Sequence, residues 1–178
     1  MSNQQSTRTS NPASNPNPTP ANAGNSNTST SNPISTSTSQ PPASERSDLF
    51  NLGLDTRRAV LGSAHVDRSL ETSNAFTLPM QEMITEWAWG NVWNRPGLDR
   101  KQRSLLNIGL LIALDRQNEL AMHVRGAVRN GLSEIEIREA VMHSTVYCGA
   151  PAGMEGMRTV DRVLGEMEAA GEIVRVIK

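Results

Sequence analysis

Two side chains able to move a proton stand four residues apart, Glu119 and His123. On a helix that spacing places both on one face. A carboxylate beside an imidazole holds one ring tautomer and raises the imidazole pKa, which makes a proton donor near neutral pH. The same pair also serves as an ordinary ion pair at a helix edge. His143 and Tyr147 repeat the spacing one helix later, suited to a pocket, a subunit interface or a structural hydrogen bond. Arg57, Arg58, His65 and Arg68 gather in the segment RRAVLGSAHVDR, a basic group fit for solvent or for a dianionic ligand. Trp87, Trp89 and Trp93 are all the tryptophans of the chain and fall within seven residues. They supply core or interface packing, or the wall of a dry pocket with Arg95 at its rim. Cys148 lies on an apolar stripe and behaves as a small hydrophobe. The three histidines are too scattered for a metal site, and HEXXH and Cys/His ligand sets are absent. No GxSxG elbow marks a serine hydrolase.

The elements that must carry these residues read as helix after helix. Ser47 or Asp48 caps a first short segment leading into Thr56–Leu61, which Gly62 ends. A second helix runs from about Pro79 to Trp89, with proline at its first position, where no N–H is needed. Asn94, Pro96 and Gly97 form a loop, and Asp99 caps a helix from Arg100 to about Leu114. That helix contains LLNIGLLIAL and is apolar nearly all round, so a central position or a subunit partner is expected. Asn118 caps the helix of Glu119 and His123, whose apolar stripe is Leu120, Val124, Ala127 and Val128, and Gly131 closes it. Ser133 and Glu136 make a capping box for the next helix. There Ile137, Ala140, Val141, Ser144, Thr145 and Cys148 form one buried stripe. Gly149 and Pro151 start a last helix ended by Gly171, with Glu172–Ile177 as a short terminal extension. The fold class is all-α.

Composition divides the 178 residues in two. Residues 1–47 are almost wholly Ser, Thr, Asn, Pro, Ala, Gly and Gln, with Ile34 as the lone large aliphatic. Such a segment cannot bury enough apolar surface to offset its ordering entropy, and a disordered tail is expected. Residues 48–178 suffice for one modest core. The formal net charge of −1 lacks the basic footprint of a nucleic-acid binder. No apolar run approaches the roughly 18 residues of a membrane span, and the tail lacks the apolar stretch of a secretory signal. A single cysteine excludes an internal disulfide. A reducing, cytoplasmic location is the expectation.

Three segments go further: RRAVLGSAHVDR, EWAWGNVWNRPGLDRKQRSLLNIGLLIAL and NELAMHVRGAVRNGLSEIEIREAVMHSTVYCGAP. Together, over about Leu54 to Leu164, they resemble the 4-carboxymuconolactone decarboxylases. The AWG–W–RPGL segment and the His123, Ala127, Gly131 spacing carry most of the likeness. The resemblance implies an intracellular, cofactor-free decarboxylase in the protocatechuate branch of aromatic-acid catabolism. It also implies the helical bundle shared with the alkylhydroperoxidase-D-like proteins, and a homo-oligomer, commonly a hexamer. The peroxidase-like relatives carry CxxC before the histidine. Here those positions are Arg116 and Glu119, so thiol chemistry is absent.

The implied substrate is a small dianionic lactone that carries its own electron sink, since loss of CO₂ pushes electrons through an alkene onto the lactone carbonyl. The resemblance then implies roles for the protein. Arg58, Arg68 or Arg116 would bind carboxylates, because planar guanidinium pairs them in a bidentate way. His65 or Tyr147 would donate to the developing oxyanion. His123, positioned by Glu119, would deliver the proton, and Trp93 with its neighbours would keep water out. Two other readings fit the residues: a related lactone or keto-acid decarboxylase of secondary metabolism, and a non-catalytic helical assembly module.

Overall fold

Helix boundaries follow the caps. In the computed structural model, which describes residues 46–177, Ser47 Oγ accepts the Phe50 N–H at 3.0 Å and starts α1 (Asp48–Leu61). Gly62, at φ 92°, separates α1 from α2 (Ser63–Glu71). α3 (Leu78–Ile84) runs directly into a π-helical segment, Thr85–Val92. The remaining helices are α4 (Arg100–Ala113), α5 (Gln117–Arg129), α6 (Glu134–Cys148) and α7 (Ala150–Ala169). All regular structure among the described residues is helical, as the sequence pattern implies. The expected disordered tail lies outside the described residues, apart from Arg46 and Ser47.

The expected capping box at Ser133 and Glu136 forms, and the expected cap at Asp99 proves to be a second box. Asp99 accepts the Gln102 N–H at 2.7 Å while Gln102 accepts the Asp99 N–H, and Ser133 and Glu136 do the same at α6. The cap expected at Asn118 does not form. Asp115 takes a left-handed backbone, φ 52°, which short polar side chains tolerate. The chain therefore reverses early, α5 begins at Gln117, and Arg116 occupies the cap position. Residues 172–177 form a short terminal extension without regular structure. Glu134 holds this segment by accepting the N–H groups of Val176 and Ile177 and pairing with Arg175.

Helices α4 to α7 share one core, in which Ile108, Ile112, Leu120, Val124, Ile137 and Val163 are fully buried. Each such side chain contributes about 1.5–3 kcal/mol. Within one chain α4 buries only one side: Leu106, Leu110 and the C-cap residue Leu114 stay about half exposed, so of the two positions expected for this helix it is not the central one in a single chain. On α6 the expected stripe is fully buried only at Ile137 and Val141. Ser144 and Thr145 donate back to the carbonyls of Ala140 and Val141.

A second cluster of Val60, Leu61, Val66 and Trp89, with Trp93 and Met122 against it, ties α1, α2 and the π-helical segment to α5. Two glycines set that junction. A Cβ on Gly53 would lie 2.0 Å from the Thr85 carbonyl oxygen, and one on Gly90 would lie 2.3 Å from the Leu49 carbonyl oxygen. Backbone touches backbone here, which only glycine allows. The contact fixes the rotation of α1 and hence which of its two consecutive arginines turns inward.

Candidate active site

His123 takes its place from the packing of α5. Leu120, Val124 and Ala127 face the four-helix core, so the next positions round the helix meet the second cluster. The π-helical segment supplies the wall there. Trp89 and Trp93 stack with ring centroids 4.7 Å apart. The His123 ring lies nearly parallel to both, 6.1 Å from Trp89 and 6.3 Å from Trp93. From α4, the Asn107 amide approaches His123 Nδ1 at 3.4 Å. With that amide donating, the ring proton of a neutral imidazole sits on Nε2.

Burial removes the imidazole from water and pushes its pKa down to about 4; the Glu119 carboxylate pulls in the other direction with less force. This reverses the expectation of a proton donor near neutral pH in the free protein. Glu119 is exposed to solvent, which screens it, whereas the desolvation by the aromatic wall is not screened. His123 is therefore neutral at pH 7. Glu119 and His123 stand at i and i+4 on one stripe of α5, with Glu119 exposed; Arg116, also exposed, precedes them at the cap position.

The other residues singled out from the sequence lie elsewhere. His65 faces a cavity of about 430 Å³ lined also by Gly62, Met122, Arg125, Arg129 and Glu166. Its pKa is held below the usual value by partial burial and then by the charges of Arg57, Arg68 and Arg129. At about 100° per residue, Arg125 points roughly 200° away from His123. The His65 cavity and the His123 ring thus occupy different sides of α5. Arg58 is committed to Asp67, donating from Nε at 2.8 Å and Nη2 at 2.6 Å, while Arg68 is exposed. The inward member of the cluster is Arg57, only 7% exposed and bonded to Thr85, Gln81 and Ser69. Tyr147 is 76% exposed and packs on His143, ring centroids 5.0 Å apart, so the ring partners of His123 are the tryptophans instead.

Asn107 escaped the sequence reading. Its signal was there, as a lone amide within the apolar run LLNIGLLIAL. Among the described residues no group of three or more His, Cys, Asp or Glu is placed to hold a metal ion, and no helix is long and apolar enough to cross a membrane.

Known proteins align with this architecture. Residues 79–162, from α3 into α7, match the carboxymuconolactone decarboxylase family. The chain is 52% identical over 127 residues to nitrosuccinic acid decarboxylase npaB of Metarhizium robertsii, spanning 71% of this chain and 89% of that one. It is 42% identical over 125 residues to 4-carboxymuconolactone decarboxylase of Acinetobacter baylyi, spanning 70% of this chain and 93% of that one. With the helical bundle and the aromatic-walled imidazole, these alignments establish that the chain belongs to the carboxymuconolactone decarboxylase family and is a carboxy-lyase.

Proposed function

We propose that the protein decarboxylates a small dicarboxylate that carries its own electron sink, without a cofactor, and that His123 returns the proton. The observation that carries this reading is the half-buried imidazole set against Trp89 and Trp93, with Glu119 one turn away. Nitrosuccinate is the first substrate to consider, favoured by the higher of the two identities. Its carboxylate on the nitro-bearing carbon leaves as CO₂, and the bonding pair passes into the nitro group as a nitronate. A proton then adds to that carbon. A second reading, 4-carboxymuconolactone, is supported by the 42% identity over most of both chains. There the pair passes through the ring alkene onto the lactone carbonyl, and a proton returns to carbon.

Either acid brings negative charge to a neutral imidazole. An opposite charge within a few ångströms favours the protonated ring, so the complex takes up a proton that the free protein does not hold. The imidazolium, its charge balanced in part by Glu119, then delivers that proton to the carbanionic carbon. The tryptophan wall keeps bulk water from competing.

The test is CO₂ release and substrate loss with purified protein on both acids, with chelator present and absent. Turnover of nitrosuccinate with the carboxymuconolactone slower, unchanged by chelator, is expected. His123→Gln should lower kcat by about 10²–10⁴, and Glu119→Gln should lower it less, with both variants folded. No turnover of either acid, or full activity in His123→Gln, would refute the assignment. Self-association belongs to the same proposal. Leu106, Leu110, Met142, Val146 and Tyr147 are exposed on α4 and α6, a face suited to a second copy, and native mass spectrometry tests the implied count of six.

A further inference from the structure

We infer that Arg103, outside the basic cluster of the N-terminal half, is the carboxylate receptor of the His123 site; this rests on the decarboxylase reading above. Arg103 lies on α4 exactly one i, i+4 step before Asn107, the residue that meets His123 Nδ1. The two therefore share a face, separated by about 6 Å of helix rise. Nη2 of Arg103 donates to the carbonyl oxygen of Arg95 at 2.8 Å, two residues past Trp93, which pins the guanidinium beside the aromatic wall.

Among the described residues that cation has no ion-pair partner, whereas Arg58, Arg125, Arg162 and Arg175 all do. The acid one turn before it, Asp99, accepts the Gln102 N–H in the α4 capping box. Among the described residues the Arg103 Nε is buried without a hydrogen-bond partner. A buried guanidinium N–H without an acceptor is a donor waiting for one, and the planar fork suits a carboxylate.

Two other arginines share an unpartnered Nε, and neither fits the role. Arg46 is paired with Glu82 and covers the Phe50 ring. Arg57 is closed in by Thr85, Gln81 and Ser69. Arg103 is half-buried and held in position by the Arg95 carbonyl, without a side-chain partner to close it in. In this assignment a four-carbon diacid sets one carboxylate on Arg103 and presents its reacting carbon to His123. The carboxylate on Arg103 is the one retained in the product.

Succinate, which has no electron sink and is not turned over, is the probe. Its binding is measured by calorimetry to the wild type, to R103M, and to R158Q as a control on the outer side of α7. Loss of a charged hydrogen-bonding partner predicts about 10- to 100-fold weaker binding by R103M, with R158Q like the wild type. A measurement on the unaltered protein guards against misfolding of the variant: the Arg103 Nε–H resonance should shift saturably as succinate is added. Absence of succinate binding by the wild type, equal binding by folded R103M, or an unmoved resonance overturns the inference. Succinate binding that follows Arg103, with neither acid decarboxylated, sinks the reaction and leaves the receptor standing.

Discussion

Part of the loss of stability of this protein in acid should come from the His123 imidazole. The His123 pKa falls from the ordinary 6.5 to about 4 in the folded chain because burial outweighs Glu119. Between those two values the unfolded chain binds a proton that the native protein refuses, so stability falls as the pH drops from about 6.5 toward 4 and is fully present above that window. The whole interval corresponds to about 3 kcal/mol. Allowing for the part of the ring that still meets water, about 2 kcal/mol should be lost by about pH 4.5. Urea unfolding at about pH 7 and pH 4.5 measures it. Other groups titrate as well, among them His65, so the comparison that isolates the effect is with His123→Gln, whose loss over the same interval should be smaller by about 2 kcal/mol. Nuclear magnetic resonance gives the midpoint directly from the His123 ring proton. A variant with the same pH dependence as the wild type, or a ring that titrates at 6.5 or above, would contradict the desolvation argument.

Two further outcomes follow from packing and from the C-terminal tether. Gly53→Ala should lower stability by about 3 kcal/mol in thermal unfolding, because its methyl group meets the Thr85 carbonyl and no side chain is there to move aside; a loss below about 1 kcal/mol would contradict the close approach of α1 to the π-helical segment. Glu134, whose pKa is lowered by hydrogen bonds from Ile177, Arg175 and Val176 against the opposing effect of burial, should release the chain end when replaced by Gln. Hydrogen exchange at the Val176 and Ile177 amides should then quicken, and unchanged protection would show that the tether lies elsewhere.

Elements announced by local chemistry were legible from the sequence. Asp99, Ser133 with Glu136, Gly62 and Gly131 act through hydrogen bonds and backbone preferences within a few residues, and each marks the boundary it should. Asn118 misled because Asp115 turned the chain and the helix began two residues sooner than side-chain preference alone would indicate. The Glu119–His123 pairing was readable from spacing, but the sign of the His123 shift was not. It comes from tryptophans about thirty positions upstream, brought in by the Gly53–Gly90 contact. The same contact decides that Arg57 is inside and Arg58 outside, a choice that two adjacent arginines cannot declare by themselves. His65 carries a clear basic neighbourhood, yet the phase of α5 sets it apart from His123.

The widened winding of Thr85–Val92 leaves a mark on how this family of shapes can vary. Its terminal turn closes from the Trp93 N–H to the Ala88 carbonyl, one residue wider than an α-helical turn. Deleting one residue within the stretch would let it relax to ordinary helix while both flanking segments kept their own hydrogen bonds. The two indole rings would swing by about 100° relative to each other's present neighbours, and the imidazole would lose its roof. Chain length in this eight-residue stretch would thus set how far the indoles shelter the imidazole, through insertion or deletion alone.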